Sequence, residues 1–207
     1  MESAKKRELP LQLHVQPETS GDEARDAEDS VLVQRAQNGD SEAFAGLVER
    51  YQDRLYNMLY RLSHNHADAA DWTQAAFLRA YEALGRFDGR ASFYTWLYRI
   101  ATNLALTEFR TRARRATAST DFGPGNEPSR TTTDPADRME LKEMHERASR
   151  ALAELPEEYR AAVVLKDIEG LDYAGIAAIL EVPVGTVRSR IHRGRTLLQQ
   201  ALQDDAS

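Results

Sequence analysis

Cysteine is absent from the 207 residues, which excludes a disulfide framework, a thiolate zinc site and a thiol redox sensor within the chain itself. Any oxidative sensing falls to a partner. Long apolar runs are missing as well. Nothing approaches the roughly 18 residues needed to span a bilayer, and the opening "MESAKKRELPLQLHV" lacks a signal-peptide apolar block, so the chain reads as cytoplasmic with no membrane insertion. Alternating strand patterns, a phosphate-cradling glycine loop and a nucleophile elbow are also lacking. The segment "SHNHADAAD" gathers His64, His66, Asp68 and Asp71. It sits at a helix start without paired histidines at i,i+4 or a distant ligand set, so no metal, no cofactor and no catalytic residue is expected.

What remains is an acidic chain whose charge is unevenly spread. The formal net charge is -6. Residues 1–30 carry -4 and residues 116–147 carry -3, which leaves the rest at +1 with its bases bunched at Arg110 to Arg115 and Arg188 to Arg195. A local cationic surface is what a nucleic-acid contact needs, whatever the sign of the total.

Residues 1–29 mix Pro, Glu, Ser, Gly and Asp without periodicity and read as a disordered extension. From Ser30 the pattern is helical. A first helix ends at Gly39, Asp40 or Ser41 caps a second, and Phe44, Leu47, Val48, Tyr51, Leu55, Met58, Leu59 and Leu62 form one apolar stripe along it. Asp68 reads as the cap of a third helix to about Leu84, with Asp71 in its first turn. Ser92 caps a fourth, which buries Phe93, Trp96, Leu97, Ile100, Ala101 and Leu104 and ends in arginines. Residues 116–138 are rich in Gly, Pro, Ser, Thr and Asp and read as a flexible linker. Over 139–203 the periodicity gives further short helices, one of them opened by Pro156. The fold class is therefore all-α, with two small helical domains at 30–115 and 139–203.

The stretch "VPVGTVRSRIHRGR" holds four arginines and no acid. At 100° per residue Val187, Ile191, Gly194 and Leu198 share one sector, while Arg188, Ser189, His192 and Arg193 face the other way with Arg190 and Arg195 on the flanks. "DYAGIAAIL" followed by the "EVP" break gives helix-turn-helix spacing ahead of it. A protruding helix of this kind fits the major groove of B-DNA, where Arg pairs with guanine O6 and N7. Gly194 is out of place, since glycine inside a helix costs roughly 1 kcal/mol relative to alanine.

The segment "ALAELPEEYRAAVVLKDIEGLDYAGIAAILEVPVGTVRSRIHRGR" resembles region four of an extracytoplasmic-function sigma factor, and "DAADWTQAAFLRAYEALGRFDGRASFYTWLYRIATN" resembles region two. The resemblance is to the RpoE-like branch and spans roughly Ser30 to Leu202. It implies a dissociable subunit, not an enzyme, that binds core RNA polymerase and promoter DNA. By that resemblance the helix-turn-helix reads the minus-35 element as duplex through Arg188, Ser189, His192 and Arg193, with His192 replacing an aromatic Phe. Region two reads the minus-10 element as single-stranded DNA. Asn103 is its base-edge reader, Ala83, Phe87 and Ile100 are the pocket walls, and Arg110 and Arg112 serve the backbone. Polymerase docking falls to Asp68, Asp71 and Gln74. Two positions depart from the family pattern, Ala75 and Gly175, each standing where an acid is usual. An anti-sigma factor that clamps both domains and hides their DNA faces is the expected protein partner.

Overall fold

The computed structural model describes residues 19–118 and 137–204, with side chains over 25–115 and 146–203. These residues form eight α-helices: α1 (Thr19–Gln37), α2 (Ser41–Ser63), α3 (His66–Ala83), α4 (Phe93–Ala118), α5 (Asp137–Glu154), α6 (Glu157–Val163), α7 (Tyr173–Leu180) and α8 (Val184–Asp204). A 3₁₀ turn, Leu84–Arg86, follows α3, and a π turn, Val164–Ile168, extends α6.

Among the described residues α1 starts at Thr19, eleven residues before the helix start expected at Ser30. The reason is a polar one. Asp29 is only 1% exposed, where it accepts a hydrogen bond from the Tyr51 hydroxyl and an ion pair from Arg50 Nη1 at 2.7 Å. Burial raises the Tyr51 phenol well above its ordinary range and Asp29 beside it adds to the shift, so the hydroxyl stays protonated and donates. Residues 1–18 lie outside the described residues. So do 119–136, which hold most of the expected linker; α4 runs on to Ala118 and α5 starts at Asp137.

Asp40 is the cap of α2, accepting from the backbone of Glu42 and Ala43, both at 3.1 Å. The apolar stripe along α2 is buried as its spacing requires, with Leu47, Leu55, Met58 and Leu59 fully enclosed. Asn65, not Asp68, caps α3, its side chain accepting from Asp68 N at 3.0 Å; Asp68 instead lies in the first turn. Ser92 caps α4 by accepting from Thr95 N at 3.2 Å. His66 is used in packing, with Nδ1 2.6 Å from the Tyr56 hydroxyl and its ring stacked 4.3 Å from Tyr60. Burial and the nearby Arg160 push His64 down to about 4, so it is neutral at pH 7.

In the second domain α6 and α8 cross closely. A Cβ added at Gly194 would stand 2.6 Å from Val163 Cγ2 and 3.2 Å from the Tyr159 carbonyl oxygen. The helix therefore accepts glycine's entropic cost because nothing larger fits at the crossing. Asp172 caps α7 by accepting from Gly175 N at 2.7 Å, half of a capping box, and α7 ends at Glu181 in the left-handed region with φ 54°. The break before α8 is the tight turn of a helix-turn-helix.

Candidate nucleic-acid interfaces

The α8 surface divides its arginines into two kinds. Arg188, Ser189, His192 and Arg193 are all exposed. Val187 and Ile191 on the opposite side are buried. Arg188 lies with its guanidinium 5.5 Å from the Tyr173 ring centroid, which draws it toward the N-terminal half of the helix-turn-helix. Ser189 Oγ donates to the Thr186 carbonyl at 2.9 Å. Arg193 has no ion pair among the described residues.

Arg190 and Arg195 are placed differently from the sequence expectation of a cationic face without acids. Arg190 Nη2 pairs with Glu158 on α6 at 2.8 Å, and Arg195 makes a forked pair with Asp167 of the π turn, its Nε at 2.9 Å. No acid stands within α8 before Asp204, yet the tertiary fold brings two of them to its flanks. These two arginines tie α8 to its own domain, and the other four polar residues face solvent.

The second candidate site lies around the loop between α3 and α4. Gln37, the last residue of α1, donates from Nε2 to the carbonyls of Leu84 and Phe87, both at 2.9 Å, and so pins the loop from outside the segment that contains it. Phe87 is half-buried, its ring 5.0 Å from Trp96 and 6.2 Å from Phe93. Trp96 also packs 5.8 Å from Phe93. Ala83, Ile100 and Asn103 are each partly exposed. The Asn103 side-chain amide has no hydrogen-bond partner among the described residues, which leaves both its donor and its acceptor for an incoming base. Arg110 is exposed about two turns further along α4 from Asn103. These groups supply aromatic and apolar walls, an amide and a cation, which is the chemistry an unstacked nucleotide requires.

Arg112 and Asp68 had been expected to serve two different partners. They hold each other instead, Nη1 to Oδ2 at 2.6 Å and Nη2 to Oδ1 at 2.7 Å, with the guanidinium 5.6 Å from the Trp72 ring centroid. Asp71 and Gln74 are exposed on α3 and unconnected to that pair. The exposed Leu78 and Tyr81 fall in the same sector of the helix, so this face carries apolar as well as polar groups. Sequence reasoning missed both, although Leu78 follows Gln74 by four residues and Tyr81 follows Leu78 by three, which continues the same face.

It also missed a polar cluster between the domains. Glu169, 7% exposed, accepts at Oε2 from Arg54 Nε at 3.1 Å, from the Tyr94 hydroxyl at 3.1 Å and from the Tyr98 hydroxyl at 3.3 Å. Arg160 reaches across from α6 to donate to the Leu62 carbonyl at the end of α2, and its other nitrogen serves Ala153 and Leu155 within its own domain. Burial lowers the Arg160 guanidinium from its ordinary range.

Comparison with known proteins finds a family match for each of the two domains. The profile of Sigma-70 region 2 matches residues 47–115 and that of Sigma-70, region 4, matches residues 145–198. The RNA polymerase sigma-H factor of Pseudomonas aeruginosa is 40% identical over 182 residues, covering 85% of this chain and 94% of that protein. The ECF RNA polymerase sigma-E factor of Escherichia coli K12 is likewise 40% identical, covering 84% and 94%. Among solved structures, CnrH in complex with the cytosolic domain of CnrY superposes with a TM-score of 0.63 at 28% identity, over 86% of this chain and 99% of that one. The sigma factor RpoE in complex with the anti-sigma factor NepR from Bartonella quintana gives 0.65 at 25% identity, over 77% and 96%. Two helical domains in this order, with these relatives along nearly their whole length, place the chain in the extracytoplasmic-function family of RNA polymerase sigma factors.

Proposed function

We propose that this sigma factor binds core RNA polymerase and directs initiation by reading two promoter elements with two different kinds of surface. α8 enters the major groove of the minus-35 duplex and reads it with Arg188, Ser189, His192 and Arg193, while Arg190 and Arg195 hold the helix at its working angle. The pocket of Ala83, Phe87, Ile100 and Asn103 takes an unstacked base of the minus-10 element, and Arg110 follows the strand's phosphates. Asp71, Gln74, Leu78 and Tyr81 form the face offered to polymerase. Asp68 supports that face from behind by fixing Arg112.

The observation that carries this reading is the division of α8 into two braced and four outward polar residues. A merely solvated helix face has no reason to hold its flanking arginines in acid pairs from another element and leave the central ones open. Such a protein works where the chromosome is, in the cytoplasm. An anti-sigma factor is the expected regulator, as in the complex of RpoE with NepR from Bartonella quintana, and no described helix is long and apolar enough to cross a membrane.

Equilibrium binding to a minus-35 duplex separates the two classes of arginine. Arg193→Ala is expected to cost about 1–3 kcal/mol, roughly 5- to 100-fold, and to relax preference at one base position. Arg190→Ala is expected to cost less than about 1 kcal/mol, because its exposed pair with Glu158 is worth little. Equal losses from both, without any change in base preference, would overturn the assignment.

A further inference from the structure

A buried carboxylate needs partners, and Glu169 finds all its side-chain partners in the other domain. It stands just after the π turn, its backbone nitrogen donating to Val164 O at 3.0 Å, and Gly170 with φ 74° turns the chain away behind it. Every group that satisfies its Oε2 comes from α2 or α4: Arg54, Tyr94 and Tyr98. Arg54 also donates from Nη2 to the Glu169 carbonyl at 3.3 Å and lies 4.4 Å from the Tyr94 ring centroid. Taken alone, the second domain would leave this acid in water and would gain nothing from it. In the packed arrangement it is enclosed, and an enclosed charge is tolerated only with good geometry.

The same contact gives α4 a second buried face. Phe93, Leu97, Ala101 and Leu104 point into the first domain, whereas Tyr98, Thr102 and Ala105 are fully buried on a sector turned roughly 100° from it. Arg160 sits over Phe109, further along α4, at 5.9 Å from the ring centroid. His64 Nδ1 lies 3.4 Å from Ser149 Oγ across the same boundary. Asn103 and Ile100 lie on neither of these covered positions and remain open, so packing the domains together does not by itself hide the minus-10 pocket.

What packing forbids is reach. From Asn103 to Tyr94 is nine helical residues, or about 14 Å. From Glu169 the path runs two residues to Asp167, across its pair with Arg195, and along α8 to Arg188. Even with every side chain extended, Asn103 and Arg188 can be no more than about 60 Å apart while the Tyr94 to Glu169 contact holds. Elements centred at minus 35 and minus 10 are about 85 Å apart along B-form DNA at 3.4 Å per base pair. The two reading surfaces cannot occupy both elements in this arrangement.

We propose that the packed arrangement is a self-closed resting state of the free chain, latched by Glu169 against Arg54, Tyr94 and Tyr98, which has to open before both promoter elements are engaged. The inference rests on the two-element reading above. Opening exposes the Glu169 carboxylate on one domain and a cation with two phenols on the other, so the latch is lost as a unit rather than loosened. Because the three partners come from the polymerase-binding domain, a regulator that favours the closed form needs only to bridge domains already in contact.

The absence of cysteine makes the test clean. With Asn57→Cys and Gln200→Cys, both at exposed positions, the full chain carries only two thiols for a donor and acceptor dye. The free chain is expected to show one population of high transfer efficiency. Glu169→Ala should lower the ratio of closed to open molecules at least about tenfold, and Glu169→Gln, which keeps the shape and one acceptor, should fall between. Circular dichroism checks that each variant keeps its helices, and the Gln variant reads the latch if the Ala variant does not fold. Core polymerase with promoter DNA should move the wild type to low transfer. Unchanged transfer in both variants, or high transfer retained in the polymerase and promoter complex, would overturn the proposal. A chain that shows the latch in isolation and yet fails to join polymerase would instead overturn the functional reading.

Discussion

Asp29→Ala is expected to lower the stability of the first domain by about 2–3 kcal/mol, read as a lower denaturant midpoint with unchanged slope. The substitution strands two groups at once. The Tyr51 hydroxyl, buried and held protonated, loses its acceptor, and an unsatisfied buried donor costs about 1–3 kcal/mol. Arg50 loses its shorter ion pair but keeps Glu28 at 2.9 Å and is itself 29% exposed, so its share is well below that of a fully enclosed pair. Tyr51→Phe in the same background should cost only about 1 kcal/mol. Asp29→Ala without effect would mean that α1 is not docked through this acid and that the domain begins after it.

Gly194→Val is expected to be as severe, at about 3 kcal/mol, and to act on the second domain. The gain in helix propensity is a few tenths of a kcal/mol, since β-branched residues are indifferent helix formers. Against it stands a Cβ within 2.6 Å of Val163 and close to the Tyr159 carbonyl, in a crossing where neither helix can yield without moving α8. Overpacking of this kind typically costs 1–3 kcal/mol, and here a backbone atom is among the obstacles. Because the proposed duplex-reading face lies on α8, minus-35 binding should fall along with the thermal midpoint. Gly194→Ala should show the same pattern at smaller size. A rise in midpoint for either variant would contradict the packing explanation of this glycine.

These two residues also mark what the sequence could and could not disclose. The stripe along α2 and the outward face of α8 were legible because a single element's periodicity determines which side is buried. Gly194 was visible as an anomaly, but its cause is Val163, thirty-one residues away, and no local pattern names that neighbour. α1 went unread before Ser30 for a related reason. Its anchor is an aspartate, so an apolar-period search passes over it, and the arginine and tyrosine that justify it lie on α2. The same holds for Arg190 with Glu158, Arg112 with Asp68 and Glu169 with Arg54. Each is a pair made by tertiary structure between residues far apart in the chain, which no local pattern connects.

The grouping of the candidate residues was legible in outline, while their pairing was not. Asn103, Phe87, Ile100 and Ala83 do gather around one loop, because they lie within one helix–loop–helix and cannot go far apart. The tie from Gln37 to that loop is forty-seven and fifty residues long in sequence and leaves no motif. Asp68 and Asp71, three residues apart, were both assigned to docking by the resemblance; the fold shows that Asp68 is held by Arg112 while Asp71 is exposed.

In the proposed function, two separate surfaces of one chain read two promoter elements in different physical states. Run-off transcription with core polymerase, on promoter libraries varied independently at the minus-35 and minus-10 elements, tests it most directly. Arg193→Ala should flatten discrimination among upstream variants and leave the downstream ranking intact, and Asn103→Ala should do the reverse. If either substitution blurred both rankings equally, or if neither altered any, the two-surface account would be wrong.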